Sequence, residues 1–297
     1  MEQQGTVRVG PAGWSYDDWK GIVYPSGIGR DRHALELLCE WFDTVEVNSS
    51  FYHPPNARHC AAWVDKVAGN PGFMFTAKLW EGFTHKRDAW PSDKEVTRFC
   101  EGIAPLHEAE KLGAILVQFP WSFRRTDDTR RWLGKVLDAF AAYPLAVEVR
   151  HASWDRPEVY AGLRERDVAF CAIDQPLFRD SIEPGEKVTS RVGYVRLHGR
   201  NLDNWFREDA GRNERYDYLY GEDELKPWLQ KLDSIRKRAQ EVYAITNNHY
   251  RGQAVVNAFE LQAGLGKPVP QLPKHLIDEY PRLKGLFARN EATGANR

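Results

Sequence analysis

A single closed (β/α)₈ barrel of TIM type is the fold this 297-residue sequence predicts, and three observations carry the prediction. Short apolar strands alternate with longer helical patterns eight times between residues 6 and 264, no Ser/Gly-rich linker or charge run divides the chain, and 42% hydrophobic residues suffice for one large core. A doubly wound open sheet is the alternative. The whole chain, 1–297, reads as one domain with irregular βα loops, the barrel covering about 6–265 and a C-terminal extension 266–297.

Eight strands are expected near 6–10, 44–48, 73–79, 113–119, 144–150, 168–174, 192–198 and 241–247, with apolar and ionisable residues on opposite faces in Thr44–Asn48, Ala146–Arg150 and Tyr194–His198. Helices are expected near 32–42, 56–68, 91–111, 128–142, 156–166, 222–240 and 252–264. Local signals support two helix starts. Asp155-Arg156-Pro157 reads as a capping residue ahead of a first-turn proline, and Asp127 or Asp128 as the cap before Trp132 and Leu133. Residues 175–190 hold two prolines and a glycine without helical periodicity, so a loop with a short helical turn is expected there.

Composition narrows the function classes. The net charge of −1 gives no global attraction to nucleic acid or anionic membrane, so anion recognition needs a local patch. Met1 to Gly5 lead into a strand without an apolar leader, and no run of 18 apolar residues is present, so a cytoplasmic location is the expectation. Cys39, Cys60, Cys100 and Cys171 are widely spaced and read as free buried thiols. No phosphate loop, dinucleotide fingerprint, GxSxG elbow or HExxH motif occurs. The sequence requires no cofactor and assigns no residue to a metal. A mixed site of His151, His198 or His249 with Glu46, Glu148 and Asp174 leaves a divalent metal open.

Strand parity gives the main functional inference. With Val45, Val47, Val147, Val149, Val195 and Leu197 facing the helices, Glu46, Asn48, Thr76, Lys78, Gln118, Glu148, Arg150, Asp174, Arg196 and His198 point to the barrel axis, mostly at carboxyl strand ends. Burying charge costs several kcal/mol unless it is paired, so such a ring marks either internal ion pairs or an acid/base site. Trp14, Trp80, Trp121, Trp154 and Trp205 each follow a strand closely and are expected around the same mouth. Arg124, Arg200 and Arg207 accompany them, the last in Trp205-Phe206-Arg207. Indoles offer stacking faces worth ~1–3 kcal/mol per base, and guanidinium forks bind phosphate or carboxylate.

The expected enzyme therefore applies acid/base chemistry, of a hydrolase or lyase type, to an anionic ring-bearing ligand: a nucleotide, nucleic acid or sugar phosphate. Glu46, Glu148, Asp174 and His198 are the candidate catalytic groups. Trp14, Asn48, Lys78, Trp121, Arg150, Arg196, Arg200 and Asn247 are the candidate substrate contacts. A glycoside hydrolase acting on a neutral sugar and a non-catalytic ligand- or nucleic-acid-binding barrel are the alternatives. No membrane or protein partner is indicated.

Several segments also resemble a known family. Val9-Gly10-Pro11-Ala12-Gly13-Trp14-Ser15-Tyr16, residues 42–52 from Phe42 to Tyr52, Phe75-Thr76-Ala77-Lys78-Leu79 and Val117-Gln118-Phe119-Pro120 are similar to segments of the YecE-like family, a domain of unknown function. Val147 to His151, Ile173-Asp174-Gln175-Pro176, Tyr194 to Gly199 and Asn247-Asn248-His249-Tyr250 agree in type and order, so the match spans about residues 7–265. The resemblance implies a TIM-type barrel, and by analogy with endonuclease-type and sugar-isomerase-type barrels a nucleic-acid or sugar ligand. Arginine and lysine at several ring positions stand against the multi-metal centre of those barrels.

Overall fold

The computed structural model describes residues 4–29, 32–205, 207 and 211–286. Phe206 and residues 287–297 of the expected extension lie outside the described residues. Eight parallel strands form one sheet in the order β1-β8-β7-β6-β5-β4-β3-β2: β1 Thr6–Pro11, β2 Thr44–Val47, β3 Met74–Lys78, β4 Leu112–Gln118, β5 Leu145–Glu148, β6 Ala169–Asp174, β7 Val192–Leu197 and β8 Glu241–Thr246. An open sheet would separate β1 from β2. Instead a parallel bridge joins Ala12 to Glu46, and Gly13 N–H donates to the Glu46 carbonyl at 2.8 Å, nearly closing the barrel. Glycine at position 10 permits this approach, because a Cβ there would stand 1.8 Å from the Thr44 carbonyl oxygen.

Helices Ala34–Trp41, Ala57–Lys66, Asp93–Glu108, Asp127–Ala139, Pro157–Glu165, Glu222–Arg236 and Gln253–Gly264 wrap the sheet close to the expected ranges. Two caps differ from expectation. Thr126, not Asp127 or Asp128, caps its helix by accepting from Thr129 N–H, and Arg156 holds the cap position before Pro157. Asp155 instead accepts from the Tyr160 hydroxyl at 2.6 Å. No helical turn forms between β6 and β7. There a tight turn, closed by Ser181 N–H to the Phe178 carbonyl, lets the chain run back and pair at His151–Ser181, with Ile182 N–H on the Arg150 carbonyl at 2.9 Å.

The core lies in two shells, one between sheet and helices and one inside the barrel. Fully burying a Val, Leu, Ile or Phe side chain contributes ~1.5–3 kcal/mol, and such residues make up most of the buried core. The inner shell is different: Tyr194, Tyr243 and Arg196 fill it, each almost fully buried. Gly113 makes room, since a Cβ there would overlap the Tyr243 hydroxyl at 2.1 Å. All four cysteines are free, with Cys100 only half-buried. Among the described residues no helix is long and apolar enough to cross a membrane.

Candidate functional site

The charged residues inside the barrel form one connected network centred on Arg196 of β7. Its two terminal nitrogens donate to Glu46 Oε1 of β2 at 2.7 Å and Glu148 Oε2 of β5 at 2.6 Å. Glu148 Oε1 accepts from Arg150 Nε at 3.0 Å and from Arg150 Nη2 at 2.9 Å. Below them the Tyr194 hydroxyl spans Glu46 Oε2 and Thr76 Oγ1 at 2.9 and 2.8 Å. His198 completes the set, with Nε2 at 3.2 Å from Glu148 Oε1 and Nδ1 at 2.9 Å from Asn247 Nδ2. Asn247 donates to Nδ1, so the neutral ring carries its proton on Nε2 and donates it to Glu148, a tautomer assigned from the hydrogen-bond network.

Burial and neighbouring charge set the protonation states. Burial alone would raise the Glu148 carboxyl, but Arg196, His198 and Arg150 outweigh it and hold it well below the usual range. Burial lowers His198 to about 3, against the pull of Glu148. Lys78, at the end of β3, is brought down to about 7 by burial and the Arg196 charge, with Glu46 and Glu148 opposing. Burial, joined by Lys78 and Arg150, takes His85 to about 4. The network is therefore ionic at its base, and a titratable amine stands above it.

Over this network a cavity of ≈ 430 Å³ opens at the carboxyl ends of the strands. Lys78, Arg150, Arg196 and Arg215 supply its positive charge, while Phe51, Trp121, Trp205 and Tyr216 supply ring faces. Among the described residues no carboxylate lines it. A second cavity of ≈ 400 Å³, walled by Trp14, Tyr16, His59 and Trp63, adjoins it across Asn48 and Tyr52. Among the described residues no three or more His, Cys, Asp or Glu side chains are grouped so as to hold a metal ion.

The profile of the family described as "Protein of unknown function DUF72" matches residues 8–279. The chain belongs to the DUF72 family. It is similar to the DUF72 family protein of Thermotoga maritima MSB8, a solved structure 35% identical with a TM-score of 0.78, covering 88% of this chain and 99% of that one. A DUF72 protein of Enterococcus faecalis V583 is 28% identical with a TM-score of 0.77, covering 90% and 98%. The UPF0759 protein YunF of Bacillus subtilis (strain 168) is 26% identical over 268 residues, 86% of this chain and 93% of the relative. These matches do not carry the YecE name, but they agree with the resemblance in placing the chain in a family of unknown function with a TIM-type barrel.

In this DUF72 chain the structure brings Glu46, Glu148, His198, Lys78, Arg150, Arg196 and Asn247 into or directly beneath one cavity, with Asn48 and Trp121 on its wall. Asp174 departs from the expected parity. Ile173 pairs in register with Arg196, so Cys171 and Ile173 share the inner face and Asp174 points outward, where Arg200 grips it bidentately at 2.8 and 2.7 Å and Trp228 Nε1 donates at 2.5 Å. Arg200 is thereby taken from the mouth, with Glu224 as its second partner at 3.1 Å. Trp14 belongs to the second cavity. Trp80 packs edge-on against Phe83, and Trp154 is buried on Phe123 with its Nε1 on the Phe123 carbonyl. Arg124 is exposed beside Trp121, and Arg207 pairs with Glu214 at 2.7 Å.

Phe51, Tyr52, His85, Arg215 and Tyr216 on the cavity wall were not expected. Phe51 and Tyr52 follow β2 within the family-like segment and could have been found there, whereas Arg215 sits far from any strand end and carries no sequence signal. The outward placement of Asp174 has a measurable consequence. Asp174→Asn leaves Arg200 and Trp228 with a weaker acceptor, so it should lower folding stability by about 1–3 kcal/mol in urea unfolding while leaving the cavity's ligand affinity unchanged. An equally stable variant with altered binding would return Asp174 to the site.

Proposed function

We propose that this protein binds an anionic, ring-bearing ligand such as a nucleotide, nucleic acid or sugar phosphate in the cavity at the barrel mouth, and acts on it by acid/base chemistry. One observation carries the reading: the cavity presents Lys78, Arg150, Arg196 and Arg215, and among the described residues no carboxylate faces it. Four formal positive charges against the two carboxylates beneath, Glu46 and Glu148, leave a positive surplus of two with Lys78 charged and one with it neutral. A low-dielectric wall around such a surplus favours an anion over water. Trp121, Trp205 and Tyr216 offer flat faces within the same cavity.

The roles shift with this geometry. Glu46 and Glu148 are buried and both paired to Arg196, so they position the guanidinium rather than reach the ligand. Lys78 is the proton-transfer candidate, because an amine that titrates near neutrality both accepts and gives up a proton at working pH. Glycoside hydrolysis needs two carboxyl groups flanking the scissile bond, one free to protonate it, and here neither faces the cavity. Free thiols throughout support a cytoplasmic location as part of the same proposal.

Titration at two salt concentrations tests the reading, with AMP, ribose 5-phosphate and a short oligonucleotide as probes. Arg215 forms no ion pair among the described residues, so Arg215→Ala should weaken binding by about tenfold or more and flatten the salt dependence. Trp121→Ala should weaken binding of the base-bearing probes by ~1–3 kcal/mol with the salt slope retained. If the wild type binds none of the three, the anionic reading fails. Turnover of a bound probe would separate an enzyme from a binding barrel.

A further inference from the structure

We propose that Lys78 is a covalent catalyst that forms an imine with the open-chain carbonyl of a phosphorylated sugar held in the cavity. The inference rests on the anionic-ligand reading and narrows it to one ligand class, a sugar phosphate, whose ring opens to an aldehyde or ketone. Lys78 is half-buried, and a lysine drawn out of water ordinarily pairs with a carboxylate. Here two carboxylates are close enough to act on Lys78, yet Arg196 engages both and Arg150 engages the second. Among the described residues the Lys78 amine forms no ion pair, and it lies 4.0 Å from the centre of the Phe51 ring with the cavity before it.

The charged groups facing it are Glu46 from β2, Glu148 from β5, Arg150 just after β5, Arg196 from β7 and His85 from the segment after β3. Desolvation and adjacent cations are the two conditions that turn a lysine from a point charge into a nucleophile. The arrangement also divides the work. Guanidinium forks suit a phosphate, so Arg150 and Arg215 can seat the anion while the amine meets the carbonyl.

The chemistry balances without a further reactant. The Nζ lone pair bonds to the carbonyl carbon, the C–O π pair moves to oxygen and takes a proton, and nitrogen gives one up, leaving a carbinolamine. The nitrogen lone pair then expels the protonated hydroxyl as water, so one C=O and one amine become one C=N and one water. A carbon next to that C=N is more acidic and its bonds are more easily broken, which suits the lyase or isomerase classes of sugar-phosphate chemistry.

The test is reductive trapping. Wild type, Lys78→Arg and Lys78→Met are incubated with ribose 5-phosphate and cyanoborohydride, the adduct is mapped by peptide mass spectrometry, and binding of ribose 5-phosphate and of ribitol 5-phosphate, which lacks the carbonyl, is measured by calorimetry. Lys78 should be modified at least about tenfold faster than the exposed Lys94, with its rate rising through pH 7 rather than near pH 10. Lys78→Arg should bind both phosphates and show no adduct in this peptide. If both phosphates bind the wild type and Lys78 is trapped no faster than Lys94, the imine is overturned and the anion site stands. If neither binds, the imine proposal falls, and the anionic reading stands or falls with AMP and the oligonucleotide.

Discussion

Glu148→Gln is expected to lower folding stability by about 3–5 kcal/mol, the range for removing one partner of a buried ion pair. The carboxylate is fully buried and neutralises Arg196 and Arg150 while accepting from His198. Glutamine keeps the shape but removes the charge, so two guanidinium groups lose their common partner. The sequence places Glu148 among catalytic groups, where substitution would touch binding more than folding. The burial of Glu148 and its two guanidinium partners favour the larger effect on folding. Urea unfolding at pH 7 should show a lower midpoint at unchanged slope; a variant within about 0.5 kcal/mol of wild type would mean that Glu148 is not structural.

Acidification should show the same dependence in the wild type. The Glu148 carboxyl titrates lower in the folded than in the unfolded chain, so its contribution is complete above an unfolded value near about 4.3 and is lost as pH falls from there through the folded value. His198 acts in a higher window. Its folded value of about 3 lies below the unfolded value of ~6.5, so unfolding takes up a proton and stability falls as pH drops between those limits.

The second large effect is expected at Arg196, where Arg196→Met should also cost about 3–5 kcal/mol at pH 7. The side chain is 1% exposed and holds Glu46 and Glu148 on its two terminal nitrogens. Without it Glu46 keeps, among the described residues, the Tyr194 hydroxyl as its hydrogen-bond partner, and both carboxylates sit close together in a dry interior. Their affinity for protons must rise. A carboxyl whose folded value is raised above the unfolded one contributes stability below the unfolded value and loses it as pH rises through the folded value. The gap between Arg196→Met and wild type should therefore narrow as pH falls from 7 to 5. A gap that is constant or widens on acidification would show that the carboxylates are not what Arg196 compensates.

Much of the fold was legible because each strand announces itself locally. Period-two alternation in Thr44–Val47 and Val192–Leu197, Pro157 in a first turn and the helical pattern of 128–142 are short-range properties of the chain. Loop chemistry was less legible. Asp155 and Asp127 have the residue type of a cap, but neighbouring groups, Tyr160 for one and Thr126 for the other, decided which oxygen served. Tryptophans after strands read alike in sequence; Trp121 reached the cavity and Trp154 did not, because Phe119 and Phe123 form a stack that buries the latter.

By itself the sequence determined a barrel of eight strands and an inner set of ionisable residues, since alternation fixes which side chains share a face within one strand. It could not determine how the faces of different strands correspond. That depends on inter-strand register, which turned Ile173 inward beside Arg196 and sent Asp174 out to Arg200 and Trp228. Nor could it determine which charges cancel, because Coulomb energy depends on separations set across some 150 residues of chain. Only the closed barrel brought Arg196 between Glu46 and Glu148, and so left Lys78 without a counter-ion among the described residues at the mouth of the cavity.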